Sequence, residues 1–220
     1  MKIALLGKGK TGSKVMELYR GELTVFDSQN PPTLEALKDH DVLISFLPGD
    51  AFLEYLPLFV ESARPMVIGS TGFTWPVELD SQLKAKNISW IYGSNFSLGV
   101  VLTKILIGRM NQYLDLFEEK SFSLHEVHHT KKLDAPSGTA LSMASWVNAP
   151  VDITSERTGD VVGVHALTMK TPREEITISH NALDRSLFAE GAIKAAQMIY
   201  QSKMTPGLHN FQEVMEKQLS

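Results

Sequence analysis

The sequence predicts an α/β protein with a Rossmann-like parallel sheet, followed by a second, α+β part. Three observations support this fold class. Short unbroken apolar runs alternate with helix-forming segments, a glycine-rich turn follows the first run, and the pattern changes after residue 97. Strands buried on both faces have unbroken apolar runs, and alternating strands and helices are typical of doubly wound sheets.

Five buried strands are predicted before residue 97. A helix is expected from near Thr11, and the helix after the third strand is expected to be disturbed at Pro57, which has no N–H to donate. The five strands lie in the runs KIALLG, ELTVFD, DVLISFLPG, RPMVIGSTGF and ISWIYGSNFS.

After residue 97 we expect a long amphipathic helix, an alternating strand in SFSLHEVHH, a helix in APSGTALSMASWV, and two or three antiparallel strands. A last helix in SLFAEGAIKAAQMIYQSK has an apolar face that should return to cover the first sheet. The apolar face of the long helix is predicted to comprise Leu102, Ile105, Leu106, Met110, Tyr113 and Leu114.

Composition narrows the class of protein. Of the 220 residues 43% are hydrophobic and 21% charged, as in globular proteins, and the net charge of -4 provides no basic field for nucleic acid. The absence of cysteine excludes disulfides, thiolate metal sites and a cysteine nucleophile. No apolar run reaches the roughly 18 residues that cross a bilayer, and the N-terminus lacks a signal-peptide pattern. We expect a cytoplasmic protein without nucleic-acid or membrane partners.

The first strand–turn–helix contains a GxGxxG pattern at Gly7, Gly9 and Gly12. Such glycines allow the tight turn, the approach of a pyrophosphate to the backbone, and close packing of helix on strand. Asp27 lies about twenty residues after Gly7, where a carboxylate accepts hydrogen bonds from a ribose. The combination predicts a dinucleotide site, and the alternative is a plain turn of an α/β fold.

The expected cofactor is NADH, because the Asp27 carboxylate repels a 2′-phosphate and no arginine follows it. NADPH stays open as an alternative, since Lys8 or Lys10 could approach that phosphate. The simpler interpretation of both lysines is that they are solvated.

Two small-residue loops follow the fourth and fifth strands, Gly69–Phe73 and Gly93–Ser97. Ligands of open α/β sheets bind beyond the carboxyl ends of the strands, so these loops could hold the nicotinamide ribose. Two ordinary turns are the alternative.

The stretch HEVHHTKKLDAPSGTA, residues 125–140, gathers proton carriers and anion-binding groups. Imidazole exchanges protons near neutral pH, lysine binds carboxylates, and Ser137 is a candidate N-cap whose helix start would bind an anion. A solvated basic loop and a plain cap are the alternatives. No metal site is expected, because the adjacent His128 and His129 would point to opposite faces of a strand.

This stretch resembles the signature of the 4-hydroxy-tetrahydrodipicolinate reductase (dihydrodipicolinate reductase) family, E-[LI]-H-H-x-x-K-x-D-A-P-S-G-T-A. Further similar segments are the glycine loop, GSTGF, SNFSLGV, RTGDVVGVH and ISHNALDRSLFAEGAIKAA. Two departures are Ser45, in SFLPG, where the family usually has an acid, and a chain that is short for the family.

The resemblance implies hydride transfer from NAD(P)H to C4 of a cyclic dicarboxylate with loss of water, in lysine and diaminopimelate biosynthesis. It implies a dinucleotide-binding domain (residues 1–96 and 186–220), an inserted substrate-binding and oligomerisation domain (97–185), and a homotetramer. By matching, His128 would be the general acid and Lys132 a second catalytic residue, acting in proton transfer or by charge alone. The other implied positions are His129, Ser137, Gly138 and Thr139 for substrate, and Gly7, Gly9, Lys10, Thr11, Gly12, Asp27, Gly69, Ser70, Thr71, Gly93, Ser94, Asn95 and Phe96 for cofactor.

Two other functions remain possible at this point. One is a dehydrogenase acting on a different amino or oxo acid. The other is a nucleotide-sensing binding module without chemistry, which would have no need of a proton donor beside two anion sites.

Overall fold

A computed structural model describes residues 1–202 and 204–219 of the chain. It forms two compact units, one of Met1–Ser97 with Arg185–Ser220 and one of Leu98–Asp184. Among the described residues, no helix combines the length and the apolar character that a membrane span requires.

The first unit is built on a six-stranded parallel sheet in which every pairing is parallel. Its strands are β1 (Lys2–Leu6), β2 (Glu22–Phe26), β3 (Val42–Ser45), β4 (Met66–Ile68), β5 (Ser89–Tyr92) and β10 (Gly207–Asn210), in the order β10-β5-β4-β3-β1-β2. The central strands are fully buried, as their unbroken apolar runs predict. The edge strand β10 was not predicted, because GLHN has a single apolar side chain.

Helices cover this sheet. They are α1 (Lys10–Leu18), α2 (Leu34–Lys38), α3 (Gly49–Ser62), α4 (Leu79–Ala85), α7 (Ser186–Gln201) and α8 (Phe211–Leu219). The expectation that Pro57 disturbs α3 is wrong: the helix continues through Pro57 to Ser62. Burial of Phe52, Phe59 and Val60 on the sheet compensates for the missing backbone hydrogen bond. The predicted return of α7 is confirmed, since it packs on α1, β3, β4 and β5.

The second unit contains a four-stranded mixed sheet in the order β7-β6-β8-β9. The strands are β6 (Ser121–His128), β7 (Asp152–Arg157), β8 (Gly163–Lys170) and β9 (Glu175–Ala182). The antiparallel strands expected after the helix in APSGTALSMASWV are β7, β8 and β9; β8 and β9 do pair antiparallel, whereas β7 pairs with β6 and runs parallel to it. The reason is the intervening helix α6 (Gly138–Ser145), which carries the chain back so that β7 starts in the same direction as β6.

The long helix of this unit, α5 (Leu98–Asn111), buries a different face from the predicted one. Val100, Val101, Thr103 and Ile107 are buried. Of the predicted face, Leu114 is buried and Met110 packs against the same core, whereas Leu102, Leu106 and Tyr113 are exposed. Apolar residues lie all around this helix, so their spacing could not select the buried face. The helix is also shorter than expected, and a 3₁₀ turn at Leu114–Leu116 follows it.

Candidate functional site

The glycine turn after β1 has the geometry that a bound pyrophosphate requires. Gly7 has φ +95°, a left-handed conformation that favours glycine. A Cβ on Gly12 would lie 2.0 Å from the Gly7 carbonyl oxygen, so only glycine lets α1 approach β1 this closely. A Cβ on Gly9 would meet nothing within 4 Å, which leaves open space above the N-terminus of α1. The fit to a dinucleotide phosphate is therefore good.

Strand order places this turn at a topological switch point. The chain leaves β1 toward β2 on one side, and β3 lies on the other side of β1. Crevices at such points, beyond the carboxyl ends of the strands, are where open α/β sheets bind ligands.

Asp27, directly after β2, accepts hydrogen bonds from the backbone N–H of Gln29 and Asn30. Its Oδ2 atom lies 2.7 Å from Nζ of Lys8. The hydrogen bond from Lys8, with those from the two backbone groups, holds the pKa of Asp27 below its usual value. Lys8 is exposed, as expected of a solvated lysine, and it also pairs with Asp27, because the glycine turn carries it to the end of β2.

A cavity of about 340 Å³ opens beside Asp27. Its lining is mainly apolar, and sequence reasoning missed most of it. The lining residues absent from the predicted set include Pro32, Leu47, Pro48, Ala51, Glu54 and Tyr55. They lie in the loops after β2 and β3 and in the first turns of α3. Only their position beyond the end of a strand, and no sequence motif, could have indicated that they line the cavity.

Both small-residue loops contain buried side chains. A Cβ on Gly69 would lie 2.2 Å from the Phe46 ring, so any side chain at this position would force that ring to move. Ser70 is buried and its hydroxyl lies 2.9 Å from the Ser45 hydroxyl, so the serine that replaces the family's acid ties β3 to this loop. Phe96 is also buried, with its ring packed on Phe46 and Phe211.

The remaining predicted cofactor residues lie at accessible positions of the first unit. Lys10 and Thr11 form the first turn of α1. Thr71 and Ser94 are exposed, and Gly93 and Asn95 are half-buried, with the Asn95 side chain accepting from Ser97 N.

In the second unit, one face of the sheet changes from apolar to polar along its length. Phe122 and Leu124 of β6 lie opposite Met169 and Leu167 of β8 at the apolar end, under α6. The next inward positions are Glu126 and His128 on β6 and His165 on β8. Period-two alternation therefore collects three titratable side chains at the end of β6, where the signature segment begins.

Glu126 is fully buried and is the centre of a hydrogen-bonded network. Its Oε1 atom accepts from Arg157 Nη2 at 2.7 Å and from Ser137 N at 3.3 Å. Its Oε2 atom contacts Nδ1 of His128. Burial alone would raise the pKa of Glu126, but hydrogen bonds from Arg157 and Ser155 and the charges of His128 and Arg157 lower it to about 2.

His128 is 7% exposed, and its two ring nitrogens have different neighbours. Nδ1 contacts Glu126, whereas a Cβ on Gly163 would lie 2.9 Å from Nε2. Burial lowers the pKa of His128, and Glu126 opposes this shift. A carboxylate beside Nδ1 favours a proton on that nitrogen, so Nε2 is the nitrogen that would gain and release the exchangeable proton.

Ser137 is the N-cap of α6, which confirms the prediction. Its hydroxyl accepts from Ala140 N at 3.2 Å and lies 3.1 Å from Nε2 of His165. Burial lowers the pKa of His165 to about 4, so this imidazole is neutral at pH 7. The Ser137 hydroxyl is thus used within the protein, and the first turn of α6 presents Gly138 and Thr139.

Lys132 lies in the loop between His128 and Ser137. Its Nζ is 2.8 Å from both carboxylate oxygens of Asp134, and its charge contributes to lowering the pKa of His128. His129 follows β6 directly and is half-buried. His125 is on the opposite face of β6, where Nδ1 lies 2.9 Å from the Thr154 hydroxyl.

Glu126, His128 and His165 each offer a ligand atom within 4.8 Å of the others. The spacing of His128 and His129 in the sequence could not indicate this set, because His165 comes from another strand. Arg157 and His128 already occupy the two Glu126 oxygens, and the guanidinium charge opposes a cation. The arrangement suits proton chemistry better.

The two units therefore contain different kinds of candidate functional residues. One has a Rossmann-like fold with a glycine turn whose geometry fits a pyrophosphate, and a carboxylate at the end of β2. The other has a buried imidazole and a buried carboxylate that accepts from the N-cap residue of α6. Together they define a pyridine-nucleotide-dependent oxidoreductase.

Family models identify which one. The model described as dihydrodipicolinate reductase, C-terminus, matches residues 99–215, and the corresponding N-terminus model matches residues 22–96. The chain belongs to the dihydrodipicolinate reductase family and has the function of a 4-hydroxy-tetrahydrodipicolinate reductase in lysine and diaminopimelate biosynthesis. The resemblance seen in the sequence is thereby confirmed.

Individual relatives agree. The 4-hydroxy-tetrahydrodipicolinate reductase of Blochmanniella pennsylvanica is 34% identical over 212 residues, 83% of this chain and 73% of the relative. That of Bdellovibrio bacteriovorus is 33% identical over 183 residues, covering 80% and 76%. Among solved structures, the dipicolinate-bound dihydrodipicolinate reductase from Paenisporosarcina sp. TG-14 has a TM-score of 0.78 at 20% identity, covering 97% of this chain and 99% of that one. This last similarity supports the fold class, which is confirmed.

Proposed function

We propose that His128 is the general acid of the reductase and that Lys132 and the first turn of α6 hold the carboxylates of its substrate. The observation that carries this proposal is the Glu126 network, which joins a proton carrier to the helix start through one buried carboxylate. Reduced nicotinamide supplies the hydride when it is bound. His128 Nε2 delivers the balancing proton, so that the ring gains a hydride at C4 and loses its hydroxyl as water.

The substrate is a dicarboxylate and needs two anion sites. The first turn of α6, with the Thr139 hydroxyl, would form one of them. Lys132 supplies the other as a cation that exchanges Asp134 for the substrate. His129, directly after His128, is proposed to contact the same substrate. Ser137 contributes by holding this turn in place rather than by its hydroxyl.

In the first unit, Gly7, Gly9 and Gly12 would hold the pyrophosphate, with Lys10 and Thr11 at the helix start. Asp27 would bind the adenosine ribose, and the cavity beside it would take the adenine. The loops Gly69–Thr71 and Gly93–Phe96 would approach the nicotinamide through backbone, because Ser70 and Phe96 are buried.

NADH is the proposed preferred cofactor, because Asp27 is ionised and disfavours a 2′-phosphate. Lys8 partly offsets that charge, which supports weaker use of NADPH. Homotetramers in the cytoplasm are proposed as well. Exposed apolar side chains on the second unit, such as Leu106, Leu116 and Ile176, support assembly, and sedimentation would count the subunits.

A coupled assay with dihydrodipicolinate synthase tests the proposal directly. Turnover is expected with the synthase product and not with other amino or oxo acids, and faster with NADH than with NADPH in parallel runs. A protein that binds NADH without turning over this product would overturn the assignment. Equal rates with NADH and NADPH would show that Asp27 does not select against the 2′-phosphate.

Thr139→Val should weaken inhibition by pyridine-2,6-dicarboxylate, a planar mimic of the substrate. Loss of a hydrogen bond to a charged group costs about 1.5–3 kcal/mol, so the inhibition constant should rise roughly ten- to a hundredfold. Thr154→Val, on the outward face beside His125, is the matched control. Undiminished inhibition in the Thr139 variant would exclude this hydroxyl from the site.

Gly163→Ala should lower kcat by roughly ten- to a hundredfold, because a displacement of about 1 Å is costly in catalysis. The new methyl group would lie 2.9 Å from His128 Nε2 and push the imidazole aside. Gly108→Ala is the control, since a Cβ there meets nothing within 4 Å. Unchanged steady-state kinetics in the Gly163 variant would show that the position of Nε2 is unimportant.

A further inference from the structure

Glu126 stands out among the buried groups that the proposed reaction does not use directly. It is fully buried in the polar end of the sheet and has no side-chain contact with solvent. A buried carboxylate is costly unless it is paired and hydrogen-bonded, and this one has partners on both oxygens. These partners explain how an ionised carboxylate can be buried. They do not explain why one of the partners is His128.

The position of Glu126 follows from the strand. Glu126 and His128 are two residues apart on β6, so both side chains point to the same face. Register places Ser155 beside Glu126 and Arg157 beside His128 on β7, and His165 opposite Glu126 on β8. Three strands therefore fix where the carboxylate points.

Orientation of an imidazole is usually set by whatever accepts its second N–H. Here Glu126 Oε2 contacts Nδ1 of His128, which leaves Nε2 at the Gly163 side. The other oxygen accepts from Ser137 N, at the turn that precedes α6. One carboxylate thus orients both the proposed acid and the proposed anion-binding turn.

We propose that Glu126 is the positioning residue of this reductase: it holds the Nδ1–H of His128, stabilises the protonated imidazole, and directs Nε2 toward the substrate. The inference rests on the proposed role of His128 as general acid. Glu126 acts only through His128 and Ser137, and touches neither substrate nor cofactor.

Charges around His128 decide the sign of the expected pH effect. The groups that face it are Glu126 on β6, Arg157 on β7, His165 on β8 and Lys132 in the following loop. Of these, only Glu126 favours the protonated imidazole, whereas Lys132 and Arg157 disfavour it. Removing the Glu126 charge should therefore make His128 a stronger acid that is protonated only at lower pH.

The test is the pH dependence of kcat/KM in Glu126→Gln, which keeps the shape and removes the charge. The limb of the profile in which kcat/KM falls with rising pH should move to lower pH. At neutral pH, kcat/KM should then be reduced about tenfold for each pH unit of that displacement, and it should recover as the pH is lowered. Glu126→Asp keeps the charge, so its falling limb should lie closer to the wild-type pH than that of Glu126→Gln. Glu156→Gln, which is exposed beside His125, should behave as wild type.

Folding is controlled separately, because Glu126→Gln leaves the partly buried Arg157 without its carboxylate partner. The double variant Glu126→Gln/Arg157→Gln restores charge balance, and its limb should be displaced in the same direction but by less, because the Arg157 charge disfavours protonated His128. Imidazole ¹⁵N shifts provide a readout that is independent of turnover. Wild-type neutral His128 should carry its proton on Nδ1, and the Gln variants should lose that preference.

The outcomes separate the two proposals. A displaced limb with an altered His128 tautomer supports the inference. An unmoved limb and tautomer in folded Gln variants, while His128 variants are inactive, overturns it and leaves the acid assignment intact. Active His128 variants would overturn the proposed function itself.

Discussion

His128→Asn is expected to lower kcat by roughly 10²–10⁴-fold, the usual contribution of a general acid, while NADH binding stays unchanged. Asparagine retains an N–H where Nδ1 of His128 contacts Glu126, so the network survives, but it has no group at the position of Nε2. Stopped-flow or steady-state turnover with the synthase product measures the loss, and fluorescence titration measures NADH affinity.

The matched control for this experiment is His125→Asn. His125 belongs to the same strand but points to the opposite, exposed face, where its partners are Thr154 and Glu156. It should retain wild-type kinetics. If His128→Asn turned over at the wild-type rate, the general acid would have to be sought elsewhere.

Wild-type kcat/KM should fall as the pH rises through the pKa of His128. That pKa lies below the usual value of 6.5, because burial disfavours the charged imidazole more than Glu126 favours it. An acid must be protonated to act, so free enzyme is competent on the low-pH side of this pKa. A dianionic substrate raises the pKa of the imidazole, and the limb in kcat should lie at higher pH than the limb in kcat/KM.

Lys132→Met is expected to lower kcat/KM roughly ten- to a hundredfold, from the loss of one charged hydrogen bond to a carboxylate. Most of the loss should appear in KM if Lys132 binds the substrate, and in kcat if it takes part in proton transfer. The variant should also move the kcat/KM limb to higher pH, because the Lys132 charge lowers the pKa of His128.

Lys131→Met provides the control, since Lys131 is the exposed neighbour in the same loop. It changes the local charge by the same amount without removing the Lys132–Asp134 pair. An equal effect of both substitutions would mean that general electrostatic attraction, rather than a specific contact, explains the result.

Much of the site could be predicted from local pattern. Gly7 and Gly12 were predicted because a tight turn and a close helix–strand packing each demand glycine. Ser137 was recognised from the residue type that an N-cap demands. Each of these requirements is met within a few residues of the chain. Asp27 was predicted from its distance to Gly7 and its place at the end of β2, and its ribose contact stays a prediction.

What local pattern missed comes from distant segments. Arg157 and His165 join Glu126 and His128 only through the pairing of β7 and β8 with β6. The ion pair of Lys8 with Asp27 needs β1 and β2 side by side. Similarly, the apolar residues all around α5 were compatible with burial of either of two helix faces. Packing of α5 within the second unit selected the face that contains Ile107.

The sequence by itself thus determined the fold class, the phosphate turn and the family, because unbroken apolar runs, glycines with steric constraints and a long signature are all properties of contiguous residues. Only the tertiary structure decided the protonation chemistry. The pKa of a buried imidazole depends on which charges strand register places within a few ångströms of it, and for His128 those charges belong to Glu126, Arg157 and Lys132.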